Sequence, residues 1–330
     1  MNGITLQRRH GQVSVHWPRL AAEQLFVGRT PAEAIALAPQ LFSLCGHAQQ
    51  LAATLALAAA SGQPAAANPQ ALAAVRLEAI RETLRRWLLD WAPACGQPCD
   101  ASAIAVLARA STLQDYRQLA AYSIFGTEPA IWCQYGLAGW QQWAAAGDNA
   151  AARALQQLLA AAPEAPPALH MLGNTAALAA EPHWLAGHYP SWRSQPVETG
   201  ALARYQPLLQ AWLDTCHVSA ARLLARWLAL AAWLGEAEAG SDSCTLAGSG
   251  LALVDTARGP LLHLATLGSD GHISHYRVLP PTLWHSHPQG CMAQAAANGT
   301  AAQIQRRLLL IDPCVSFTLA GIDNEEPPHA

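Results

Sequence analysis

Residues 308–320 read LLLIDPCVSFTLA, and the reading of Asp312-Pro313-Cys314 within them decides how the end of the chain folds. Asp is a good helix N-cap, and Pro suits the first helical position because its missing N–H would find no partner there anyway. The triplet therefore predicts a helix that opens at Asp312 and carries Cys314 in its first turn. Unpaired backbone N–H groups and the helix dipole favour a thiolate there, so the position suits a metal ligand or a nucleophile. A metal site would expect a second thiol three residues on, and Phe317 stands in that place. These residues alone leave two readings open, a reactive thiolate or a buried structural cysteine.

The rest of the 330-residue chain is 52% hydrophobic and 12% charged, a composition that builds a large core. All 19 lysine-or-arginine positions are arginines, scattered along the chain in runs no longer than two, and the net charge is -3. That argues against a nucleic-acid surface. The start, MNGITLQRRHGQ, carries no apolar signal core. The most apolar stretch, LLARWLALAAWLG (223–235), is too short to span a bilayer and contains Arg226. The expectation is a soluble, cytoplasmic protein with no membrane insertion. Eight cysteines are too sparse for a disulfide framework, so reduced thiols are expected. Cys95 and Cys99 read as a loop thiol pair rather than half a zinc site. His285 and His287 read as surface histidines on an extended segment.

Alternation of Ile4 and Leu6, then Val13, Val15 and Trp17, predicts a hairpin around His10-Gly11. TPAE (30–33) reads as a capping box with Pro31 at the first helical position, and Pro39 as an interruption of that helix. Leu41, Leu44, Ala48, Leu51 and Leu55 then form an apolar stripe with Cys45 beside it. Ala- and Leu-rich helices follow through about 160 and again near 201–235, with a break at PEAPP (163–167). The stretch 238–250 reads as a flexible connection. LALVDT, PLLHLATL and HISHYRVL read as strands, with a GSDG turn between the last two. The tail 321–330 reads as a solvated, disordered end. The fold class is α+β, mainly α: one domain over 1–330, a helical body with a small sheet built from the N- and C-terminal parts.

Four stretches, in this order, resemble motifs of nickel–iron hydrogenase large subunits. VGRTPAEAIALAPQLFSLCGHAQQLAA (27–53) resembles the segment with the first Cys-x-x-Cys pair. PVETGALAR (196–204) resembles Glu-x-Gly-Pro-Leu-Ala-Arg. ARGPLLH (257–263) with YRVLPPTLWHSHP (276–288) resembles the Pro-Arg-Gly strand and the Pro-Thr-x-Trp-Asn loop. DPCVSFTLA (312–320) resembles the terminal Asp-Pro-Cys-x-x-Cys-x-x-His. The large-subunit fold, in shortened form, is what the resemblance implies.

The departures from those motifs carry the functional expectation. In the hydrogenases four thiolates hold nickel, and two of them bridge to an iron carrying cyanide and carbon monoxide. Here Phe42 and Phe317 stand at one cysteine place of each pair, leaving Cys45 and Cys314. Gln49 and Ala320 stand at histidine places. Two thiolates do not supply a four-thiolate nickel site, so no nickel and no hydrogenase activity are expected. The cyanide-binding side is retained: the resemblance implies that Arg258 and the Pro281-Thr282 pair receive the cofactor's cyanides. The chain is thus similar to hydrogenase-maturation scaffolds of the HupK/HoxV type. That resemblance implies transient carriage of an Fe(CN)2CO unit on Cys45 and Cys314, with hydrogenase accessory proteins and the large-subunit precursor as partners. The alternatives are a metal-free relative acting through protein contacts, or an active hydrogenase subunit.

Overall fold

The computed structural model describes residues 3–321 apart from 20, 64, 65, 186, 236 and 238; the acidic tail expected at 321–330 lies outside them beyond Gly321. Strands β1 (Ile4–Arg9) and β2 (Gln12–His16) form the expected antiparallel hairpin. His10 (φ 50°) and Gly11 (φ 74°) are both left-handed, as a two-residue hairpin turn requires.

The end of the chain departs from the expectation. A helix over Ala301–Ile311 stops where one was expected to begin: Asp312 takes a left-handed conformation (φ 64°) and Pro313 cannot extend the helix. Asp-Pro suits either end of a helix, and here the Asp312 side chain is drawn into the interior by arginines instead of capping a following turn. Cys314 is therefore outside any helix. Residues Phe317–Ala320 form strand β7, which runs parallel to β1 with Ile4 opposite Phe317 and Leu6 opposite Leu319. The three-stranded sheet β2-β1-β7 is thus built from both ends of the chain.

The capping box forms as read. Thr30 caps helix α1 (Pro31–Leu41), and Glu33 reaches back to the Thr30 N–H at 2.9 Å. Pro39 does not interrupt α1 but sits inside its last turn. The chain then makes a tight turn over Ser43–Cys45 and enters helix α2 (Gly46–Ala60) with Cys45 as N-cap residue. The expected stripe is split by this turn: Ala48, Leu51 and Leu55 are buried, whereas Leu44 is 38% exposed.

A second sheet, β3 (Ser241–Leu246), β4 (Ser249–Thr256), β5 (Gly259–Leu267) and β6 (Ile273–Leu279), is antiparallel throughout. β3 falls in the stretch expected to be a flexible connection; its short polar residues hide the strand, which is held by a full ladder to β4. Alternation along β4 sends Leu251 and Leu253 to one core, shared with Ile4, Leu6 and Trp284, and Ala252 and Val254 to another, shared with α2. Both faces are covered. α2 lies so close to β4 that a Cβ on Gly250 would fall 1.9 Å from the Ala56 carbonyl oxygen. Small residues along α2 (Ala48, Ala52, Ala53, Ala56) permit that approach.

A third core gathers around the helix Val218–Leu234, of which every residue but Ala232 is buried. Helix α3 (Pro69–Arg86) packs against it. No helix among the described residues is long and apolar enough to cross a membrane.

Candidate metal centre

The cysteine positions begin with the turn that enters α2. Its first N–H groups need acceptors, and Glu78 of α3 supplies them: His47 N–H donates to Oε2 at 2.9 Å and Ala48 N–H to Oε1 at 3.2 Å. Cys45 is thereby fixed between α2 and α3. Cys314 is held from the other side, where its backbone N–H donates to Thr282 Oγ1 at 2.9 Å. Thr282 stands in the short helix Pro281–His285 and is fully buried.

These elements enclose a cavity of about 530 Å³. Cys45, Cys314, Arg258, Pro281, Phe42, Gln49, Glu78 and Glu82 all line it, with Trp17, Leu41, Val75 and Leu261 among the apolar residues that complete the wall. Two cysteines 269 positions apart in sequence therefore share one space. Burial pushes the Cys45 thiol up to about 12; Gln49 and Arg258 favour its thiolate, whereas Cys314 and Glu78 oppose it. Among the described residues no group of three or more His, Cys, Asp or Glu is placed to hold a metal ion.

Arg258 enters the cavity from the β4–β5 turn, and two glycines make that turn possible. Gly200 (φ 88°) and Gly259 (φ 126°) abut: a Cβ on Gly200 would lie 2.6 Å from the Arg258 carbonyl oxygen, and one on Gly259 would lie 2.8 Å from Gly200 Cα. The PVETGALAR and ARGPLLH stretches are thus locked backbone to backbone. Arg204 of the first also pairs with Asp255, three residues before Arg258, at 2.6 Å.

The Arg258 side chain is buried and its charge is held by two carboxylates. Nη2 meets Glu82 Oε1 at 2.7 Å and Asp312 Oδ1 at 3.3 Å, and Nε donates to the Asp312 carbonyl at 3.2 Å. Burial opposes its charge, but Asp312, Glu82 and Cys314 outweigh burial and raise its pKa. Asp312 in turn receives Arg86 at 2.6 Å and Arg226 at 3.6 Å. Burial alone would raise the Asp312 carboxyl; Arg258, Arg86 and Arg226 more than offset it and hold it below the usual range. Arg226 also donates to the Leu310 and Ile311 carbonyls, closing the end of the helix Ala301–Ile311. The arginines that look scattered in sequence converge here. A signal was present in Arg226, since a charge inside so apolar a helix needs a buried partner. No hydrogen bond among the described residues uses Arg258 Nη1.

No family model matches the chain. It is 30% identical over 334 residues to the hydrogenase expression/formation protein HupK of Rhizobium leguminosarum bv. viciae, covering 90% of this chain and 88% of that one. HupK of Bradyrhizobium diazoefficiens is 31% identical over 341 residues, covering 93% and 91%. HoxV of Cupriavidus necator, also a hydrogenase expression/formation protein, is 29% identical over 361 residues, covering 92% and 90%. The chain belongs to the HupK/HoxV family.

Its fold is that of nickel–iron hydrogenase large subunits. The Ni-Fe-Se hydrogenase of D. vulgaris Hildenborough superposes with a TM-score of 0.56 at 13% identity, over 93% of this chain and 94% of that one. The NAD+-reducing [NiFe]-hydrogenase gives 0.53 at 14% identity, over 92% of each chain.

Within this HupK/HoxV chain the other singled-out residues are dispersed. Phe42 lies in the cavity wall beside Cys45, but Phe317 does not; it lines an adjoining cleft with Cys314 and packs against the β1–β2 core. Thr282 is absent from the lining and acts on the backbone of Cys314. His285 is not a surface histidine: it is 1% exposed, its Nε2 accepts the Thr199 N–H at 3.3 Å, and burial pushes its pKa down to about 4. The segment is helical rather than extended, which turns His285 inward and leaves His287 half-buried. Cys95 is fully buried and Cys99 exposed. Asp312, Glu82 and Glu78 were not anticipated as parts of the site.

Proposed function

We propose that this protein is a hydrogenase-maturation scaffold that carries an Fe(CN)2CO unit on Cys45 and Cys314 and delivers it to the nickel–iron hydrogenase large-subunit precursor in the cytoplasm. The observation that carries the reading is the shared cavity of Cys45, Cys314 and Arg258. Two thiolates bind the iron, and its diatomic ligands occupy other coordination positions. A cyanide nitrogen on iron is a strong acceptor in a mostly apolar space, and the uncommitted Nη1 of Arg258 is a charged donor for it. Glu82 and Asp312 hold that guanidinium in place. Pro281 closes the wall, and Thr282 fixes the Cys314 backbone. Nickel, which in the related hydrogenases needs four thiolates, has no comparable set here, so the protein is an assembly factor and not a hydrogenase.

Release follows from the same count. Two sulfur bonds are exchanged for those of the recipient, and the high proton affinity of Cys45 assists by reprotonating the departing thiolate. Accessory proteins that build the iron unit are the donors. Infrared spectroscopy of protein isolated anaerobically from hydrogenase-expressing cells tests the reading. Cyanide and carbonyl stretches are expected in the native chain and absent from C45A and C314A variants. A native protein without those bands would favour the metal-free relative, and bound nickel would favour an active subunit.

A further inference from the structure

A buried chain of hydrogen bonds runs away from Cys45 into the sheet. Gln49 Nε2 lies 3.5 Å from Cys45 Sγ. Gln49 Oε1 lies 2.8 Å from His263 Nε2, and His263 Nδ1 lies 2.8 Å from the Tyr276 hydroxyl. Gln49 is 2% exposed, His263 fully buried and Tyr276 5% exposed. Strand alternation places His263 on the face of β5 that meets α2, and the Tyr276 ring is stacked on Phe26 at 4.3 Å.

Two proton arrangements satisfy these distances. In one, Tyr276 donates to Nδ1, His263 Nε2–H donates to the Gln49 carbonyl, and the Gln49 amide donates to sulfur. In the other the chain runs backwards: the thiol of Cys45 donates to Gln49, whose amide donates to Nε2, and Nδ1–H donates to the phenol. The phenol decides between them. His263 is the hydrogen-bond partner of the Tyr276 hydroxyl among the described residues, so the reversed chain leaves a buried O–H without an acceptor. The forward arrangement leaves none. Burial also drives His263 down to about 3, so the ring is neutral and one of its nitrogens must accept.

Resting on the carrier reading, we propose that Gln49, held by His263 and Tyr276, is a positioning residue that presents a fixed N–H donor to the Cys45 sulfur and so weakens its bond to the carried iron. A donor to a thiolate withdraws electron density from the metal–sulfur bond, which favours release over retention.

Two measurements test this. The first needs no iron: imidazole ¹⁵N NMR on the full chain. A neutral His263 protonated at Nε2 is expected, with its Nε2 signal shifted in Q49L. A ring protonated at Nδ1 would overturn the proposal. The second reads the carbonyl stretch of protein loaded in cells. Q49L should move it to lower wavenumber, because a more electron-rich iron back-donates more, and should slow iron release. Q49H, which restores an N–H donor, should return the band towards its native position, and Y276F should give a smaller shift than Q49L. An unshifted band in loaded Q49L would overturn the proposal. Native protein lacking any such band would instead sink the carrier reading, and the NMR result would still decide the orientation of Gln49.

Discussion

A thiol held near 12 is protonated at neutral pH, so any metal that reaches Cys45 must displace a proton. Binding of a thiophilic probe such as Cd²⁺ should therefore strengthen as pH rises, by about tenfold per unit for each proton released. Calorimetric titration at several pH values checks this, and C45A should show a shallower slope. Asp312 is shifted in the opposite direction, and its prediction concerns stability. Its folded-state pKa is depressed, so it contributes stability above the unfolded value that is lost as pH falls through the folded one. D312N leaves Arg86, Arg226 and Arg258 without their shared anion and should cost about 3–5 kcal/mol in denaturant unfolding at neutral pH. The gap from wild type should narrow in acid. Much of this site was legible in residues: Cys45, Cys314, Arg258 and Pro281 come from matched motifs and line one cavity. What was not legible is the set of carboxylates that hold the arginine. Glu82 lies in none of those motifs, and Asp312 looks like a helix cap until the fold brings it among three arginines.

Among the elements, α2 carries the strictest packing demand. Its approach to β4 at Gly250 leaves no room for a side chain, and G250A should lift the helix from the sheet and cost about 3 kcal/mol, as overpacked sites do. Because Cys45 begins that helix, the same substitution should also reduce Cd²⁺ affinity, whereas G62A in the exposed turn after α2 should leave it unchanged. Chemical denaturation and metal titration of the two variants separate these effects. Elements with strong local signals were readable from sequence: the Thr30 capping box, the His10-Gly11 hairpin and the alternating strands β4 to β6. β3 and β7 were not. Ser241–Leu246 owes its extended form to the β4 ladder, and Phe317–Ala320 to a partner at the far end of the chain. Short strands of this kind are set by long-range pairing, which local propensity does not report.

For the molecule as a whole, the decisive contact is the parallel pairing of β1 with β7. It places Ser316, two residues beyond Cys314, in a hydrogen bond with the Ile4 N–H at 2.8 Å. Removal of residues 1–17 should therefore free the segment 313–320, lower the melting temperature and abolish the carbonyl and cyanide bands while leaving far-UV helicity largely intact. Bands that persist in the shortened protein would mean that Cys314 is held adequately by Thr282 alone. The same pairing also sets a clock. During synthesis at about 10 residues per second, roughly half a minute separates the appearance of Cys45 from that of Cys314, 269 positions later. Throughout that interval the nascent chain offers any metal a single cysteine of the pair without the closing strand, and for most of it without Arg258, which is made 56 positions before Cys314. Selection of cargo is thereby deferred until Cys314 has been made, and stray metal met on the ribosome before then finds only half a binding place.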